Sequence, residues 1–166
     1  MKIDIFNHIF PKIFYDKMME VAPKFKDMGK RVREVPVLVD LEARFRVMDQ
    51  FDDYAQVICL ASPPLEVLAG PELSPELAKV ANDGMADYVA KYPERFPGFI
   101  ASMPMNNPDA TLGEMDRAIK DLKAVGVQFF SNVNGRPLDL PELKPLFEKM
   151  AAYDLPIWIH PTRGAN

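Results

Sequence analysis

Two histidines occur in the 166 residues, His8 and His160. Imidazole carries protons near neutral pH and binds Zn²⁺, Mn²⁺ or Fe²⁺, so the placement of these two residues decides which chemistry is open. Each closes an apolar run: IDIFNHIFP, residues 3 to 11, and LPIWIHP, residues 155 to 161. Taken singly, each reads as a strand-end histidine hydrogen-bonded to a carbonyl. Taken together, both at the same end of strands expected to run parallel, they predict a shared metal or catalytic site. Strand alternation places Asp4, Phe6 and His8 on one face, and Pro156, Trp158 and His160 on one face. If both faces look into a barrel, the two imidazoles converge on one central ion.

Other residues carry weaker signals. Asn132 and Asn134 follow the fourth expected strand and are candidates to hydrogen-bond a ligand, although Asn134-Gly135 is equally a turn signature. Trp158 has the parity of His160 and would wall the pocket or fill the core. Cys59, the single cysteine, sits in the apolar run QVICLA and reads as a packed thiol, with no feature in the sequence that would lower its pKa. The methionines, Met103 and Met105 among them, read as core filler.

The elements that must position these groups follow from periodicity. KIDIFNH is a strand, residues 41 to 51 carry apolar residues at 41, 45, 48 and 51 and predict a helix, and AQVICLA (55–61) is a second strand. Ser74-Pro75-Glu76 reads as an N-cap with proline at the first helical position, opening a helix to about Lys91. FPGFIASM (96–103) is a third strand, and Asn107-Pro108 opens a helix expected to close near Gly126. VGVQFFSNV (125–133) is a fourth strand, 140 to 153 a helix introduced by Pro141, and LPIWIHP a fifth strand.

Strands alternating with helices predict right-handed βαβ units and a parallel sheet. An open doubly wound sheet and a TIM (β/α)₈ barrel both fit. No glycine stands in residues 7 to 12, where a phosphate-binding fingerprint would favour the first. A closed barrel takes about 250 residues, so the 166 present would hold about five of its eight strands in one domain, 1–166, with the C-terminal part missing. That part would come from a longer polypeptide or a partner chain.

Composition excludes some partners. The net charge is -4 with no sustained Lys/Arg stripe, which argues against nucleic acid. KDMGKRVRE (26–34) is the most basic stretch and reads as a solvated loop. No run reaches the roughly 18 apolar residues of a membrane helix, and the N-terminus lacks the order of a signal peptide, so a soluble, cytoplasmic protein is expected.

Several segments resemble one family in the same order and spacing: IDIFNHIFP, EARFRVMDQF (42–51), QVICLASPP (56–64), the stretch from Tyr92 to Ala118, GVQFFSNVNGRPLDLPELKPLFEKM (126–150) and LPIWIHP. Together they are similar to the amidohydrolase superfamily, in the branch that contains aminocarboxymuconate-semialdehyde decarboxylase and its aromatic decarboxylase, hydratase and hydrolase relatives. The resemblance implies a (β/α)₈ barrel with one divalent metal, zinc or manganese. It implies His8 and His160 as ligands, with a further Asp and a proton-transferring His beyond Asn166. Phe6 stands where the family's first strand-one ligand belongs and has no lone pair, which puts metal binding by these residues alone in question. Arg44 matches an arginine that relatives place near the substrate carboxylate, while Arg46 and a plain solvated helix charge are the competing readings. The activity implied is decarboxylation of a small carboxylated aromatic or unsaturated acid. Hydrolysis or hydration at the same ion stays open, as does an inactive barrel fragment serving as a binding module. By the same resemblance a homodimer is expected.

Overall fold

The computed structural model describes residues 1–22 and 34–162. Apart from Glu34, the basic stretch at 26 to 34 lies outside the described residues, as do the last four residues of PTRGAN.

Five parallel strands run in the order β1 (Lys2–Ile9), β2 (Tyr54–Leu60), β3 (Gly98–Ser102), β4 (Val127–Phe130) and β5 (Ile157–His160). Strand order therefore equals chain order, as it must in a TIM barrel; a doubly wound sheet reverses order at a switch point. These are five strands of a (β/α)₈ barrel. The helices are α1 (Lys12–Val21), α2 (Leu41–Met48), the short α3 (Leu65–Leu68), α4 (Ser74–Lys91), α5 (Pro108–Asp116) and α6 (Lys144–Tyr153). No described helix is long and apolar enough to cross a membrane.

The main core lies between strands and helices. Ile58 and Leu60 of β2, Phe99 and Ala101 of β3, and Val127 and Phe129 of β4 meet Leu77, Met85, Met115, Leu146 and Met150 from the helices. Each such fully buried side chain contributes about 1.5–3 kcal/mol, which fixes the face each strand turns outward. The opposite parity, Cys59, Gln128, Phe130, Trp158 and His160, is left for the barrel interior. Met103 and Met105 are buried in the outer core.

The sequence reading needs correcting in four places. Asp4 does not share the face of His8. Asp4 pairs with Gln56 and Asn7 with Ile58, so β1 carries one extra residue between them, and this bulge turns Asp4 away to accept a hydrogen bond from the Tyr54 hydroxyl at 2.9 Å. Ser74 is the first helical residue rather than the cap, and its hydroxyl is spent on Asn106 Oδ1. The helix opened by Asn107, whose side chain does accept from Ala110 N, runs through one π turn at Arg117–Asp121 and stops short of Gly126. Gly126 is required for another reason: a Cβ there would stand 2.7 Å from the Pro156 carbonyl oxygen. Helix α1 was not predicted; Phe14 and Met18 bury its inner face.

Candidate functional site

β1 and β5 lie at opposite ends of the five-strand order, yet the curl of the sheet brings their C-terminal ends together. The His8 and His160 rings stand 4.9 Å apart, centroid to centroid, at an interplanar angle of 46°. Trp158 reaches across the same interior to donate from Nε1 to the Ile5 carbonyl at 2.8 Å, tying β5 to β1. Phe6 packs edge-on against His8 at 5.2 Å and lies 5.8 Å from His160, with Phe130 at 4.8 Å on the other side of His160. The two imidazoles therefore sit in an aromatic bracket, one wall of which is Phe6.

Whether a cation fits between them can be tested on the donors. Two imidazoles sharing an ion at about 2.0–2.1 Å per metal–nitrogen bond have ring centroids roughly 5 Å apart, and 4.9 Å is found. His160 Nδ1 lies 2.8 Å from the Pro161 carbonyl, leaving Nε2 for an ion. His8 Nδ1 faces the Cys59 sulfur at 3.3 Å. Ligand histidines ordinarily engage their second nitrogen in this way. His8 is held below the usual histidine pKa, first by burial, then by the neighbouring His160 and Arg44, against the opposing pull of Asp4 and a hydrogen bond to the Leu60 carbonyl. The lone-pair form that a metal needs is thus favoured. No third His, Cys, Asp or Glu joins the pair among the described residues. The residues fit a divalent ion as two of its ligands.

Cys59 is buried and its thiol donates to the Asn7 carbonyl at 2.7 Å, with burial pushing its pKa up to about 12. It buttresses His8 as a neutral group. Arg44, on α2, is 5% exposed and bonded to protein groups on the outer side of β1. Asn132 accepts from Gly135 N at 2.8 Å and shapes the turn after β4, where Asn134 and Gly135 both take positive φ. Arg46 is exposed, 3.9 Å from Glu42.

Three contributors lie around the pair, of which Gln128 and Gln56 were missed at the sequence level. Asn7 bridges the bulge, donating from Nδ2 to the carbonyls of Asp4 and Val57. Gln128 donates to the Leu60 carbonyl at 3.2 Å, and its Oε1 is buried without a partner. Gln56 joins Arg44 to Tyr54. A polar amide inside otherwise apolar strands, VQFF and YAQVICL, was the available signal.

With this geometry in place, the relatives can be compared. A family model described as amidohydrolase matches residues 39–165. The 2-amino-3-carboxymuconate-6-semialdehyde decarboxylase of Dictyostelium discoideum is 31% identical over 176 aligned residues, which cover 97% of this chain and 49% of the relative. A gamma-resorcylate decarboxylase of Polaromonas is 36% identical over 131 residues, 75% of this chain and 40% of the relative. Among solved structures, a dihydroxybenzoic acid decarboxylase of Polaromonas with bound manganese and the inhibitor 2-nitroresorcinol matches at a TM-score of 0.77 and 28% identity. That match covers 99% of this chain and 50% of the other. The chain spans about half the length, or less, of the relatives it matches.

Proposed function

The chain belongs to the amidohydrolase family, and from that membership we propose that the complete polypeptide is a divalent-metal-dependent carboxy-lyase. Its substrate is a small carboxylated aromatic or unsaturated acid. The observation that carries this reading is the convergence of His8 and His160 at the C-terminal ends of β1 and β5, the edge where barrel enzymes place their chemistry. The decarboxylase names of the two curated relatives and the manganese in the solved neighbour support the class of reaction and of ion, with manganese or zinc as the metal.

His8 and His160 would hold the ion through the ring nitrogens not engaged with Cys59 and the Pro161 carbonyl. When bound, a divalent cation acts as a Lewis acid, stabilising the negative charge that develops on the substrate as CO₂ leaves. Phe6, Phe130 and Trp158 flank the histidine pair and offer flat apolar surface to an aromatic ring. Asn132 fixes the loop at the mouth of β4, so its contribution to the substrate site is the shape of that loop. Phe6 supplies no ligand, so groups outside residues 1–166 or water complete the coordination.

The test is substrate and metal profiling of the complete polypeptide. Uptake of one Mn²⁺ or Zn²⁺ that His160→Ala abolishes, with CO₂ release from hydroxybenzoic acids, is expected. Cleavage of esters, lactones or amides in place of CO₂ release would move the assignment to hydrolysis. A protein that takes up neither ion would leave a binding module.

A further inference from the structure

We propose that Arg44 is a positioning residue for His8, holding the peptide that carries the imidazole, and does not clamp the substrate carboxylate. This rests on the reading of His8 and His160 as a ligand pair.

Arg44 has almost no free donors. Guanidinium has five N–H groups, and recognition of a carboxylate as a fork needs two of them, free and parallel, on adjacent nitrogens. Arg44 Nε donates to the Val37 carbonyl at 3.0 Å. Nη1 donates both its hydrogens, to Gln56 Oε1 at 2.6 Å and Asn7 Oδ1 at 3.2 Å. Nη2 donates to the His8 carbonyl. One hydrogen on Nη2 is left. Either edge of the fork, Nε with an Nη or Nη1 with Nη2, already has a donor committed to protein, so no bidentate carboxylate can be received.

The direction of these bonds gives the alternative role. The Ile9 carbonyl turns toward β2, accepting from Ala61 N at 3.1 Å. Carbonyls alternate between the two edges of a strand, so the His8 carbonyl points away from β2. Arg44 supplies its donor. The same guanidinium grips the side chain of Asn7, which spans the bulge, so the peptide after His8 and the side chain of the residue before it are held by one group.

No carboxylate forms an ion pair with Arg44 among the described residues. Its charge is answered by oxygen dipoles and by a relay: Gln56 Nε2 donates to the Tyr54 hydroxyl at 3.0 Å, which donates to Asp4 Oδ2. A lysine, a point charge on a flexible stem, cannot reproduce this fan of four bonds.

The experiment compares wild type, Arg44→Lys, Arg44→Met and Gln56→Leu in the complete polypeptide. The readouts are Co²⁺ and Mn²⁺ affinity, the Co²⁺ visible spectrum, and KM and kcat for a hydroxybenzoic acid at saturating metal. A positioning role predicts a 10- to 100-fold loss of metal affinity in both Arg44 variants, on the order found for groups that orient metal ligands. It also predicts a shifted Co²⁺ spectrum and a KM within about threefold of wild type. Gln56→Leu, which removes one anchor, should show a smaller loss of the same kind and serves if Arg44→Met does not fold. Unchanged metal affinity and spectrum with KM raised tenfold or more would overturn the proposal in favour of a substrate clamp; unchanged values throughout would also overturn it. If wild type takes up no ion, or His160→Ala leaves uptake intact, the ligand-pair reading is what fails. The Arg44 proposal is then judged on the His8 ring ¹⁵N shifts of the metal-free protein, which Arg44→Lys must move and which would overturn it by staying fixed.

Discussion

Two buried polar clusters sit where the outer faces of β1 and β3 meet the helices, and they are built on opposite principles. Beneath β3, Asn82 stands in for a neighbouring strand, accepting from Ser102 N at 2.8 Å and donating to the Ser102 carbonyl at 3.0 Å. Its amide also donates to Glu114, whose carboxylate is met by Arg117 through two bonds of 2.8 Å, and Arg117 in turn reaches Asp83. Every charge there has an opposite. Beneath β1, Arg44 holds a comparable web of bonds without a carboxylate in contact, and burial lowers its pKa to about 10. A balanced cluster leaves no buried charge without a partner. The unbalanced cation carries a desolvation cost, and the peptide it fixes is that of His8.

The difference can be broken from the balanced side. Glu114→Ala leaves Arg117 only its exposed partner Asp83 and leaves a buried Asn82 donor unpaired, and should cost about 1–3 kcal/mol in denaturant unfolding, the range for an unsatisfied buried donor. In the folded fraction, metal affinity should be unchanged. Loss of both together would show that the clusters are not separable.

A third buried charge provides a control belonging to neither cluster. Glu66 is 6% exposed, both its oxygens lack partners, and burial raises its pKa to about 7. Because the folded state holds this proton more tightly than the unfolded one, stability is lost as pH rises from about 4.5 to 7. That rise in pKa corresponds to about 3 kcal/mol above pH 7. Glu66→Gln should therefore match wild type near pH 4.5 and gain thermal stability by pH 8; a gain independent of pH would contradict the burial argument.

Phe6→His adds an imidazole beside the existing pair and should raise Mn²⁺ or Zn²⁺ affinity at least tenfold in a titration, about 1.4 kcal/mol. It should leave unfolding nearly unchanged, since Phe6 is 46% exposed. A smaller effect concerns acid. With the His8 pKa lowered in the fold, the unfolded chain takes up its proton first as pH falls below about 6.5, so stability falls with it. His8→Gln should flatten that part of the pH profile of unfolding and leave the rest in place.

The sequence carried the strand ends and therefore the histidine pair: alternation along LPIWIHP and the apolar run at 3 to 11 put both imidazoles on one rim without knowledge of contacts. It did not carry the bulge. Ile3, Ile5 and Ile9 keep an unbroken strand pattern across it, and only the pairing with Gln56 and Ile58 reveals the extra residue that turns Asp4 away. Arg44 was visible as a cation on a helix, but four of its five donors are taken by partners from β1, β2 and the turn at Val37, which no spacing within 41 to 51 encodes. Ser74 and Gly126 looked like caps because serine and glycine favour caps; at these positions a hydrogen bond to Asn106 and the nearness of Pro156 claimed them instead.

X-ray absorption of the complete polypeptide loaded with one equivalent of Zn²⁺, compared with its His8→Ala and His160→Ala variants, addresses the central claim most directly. The imidazole scattering of wild type should fall by one ring in each variant. A spectrum that neither substitution alters would mean that these two residues do not hold the metal.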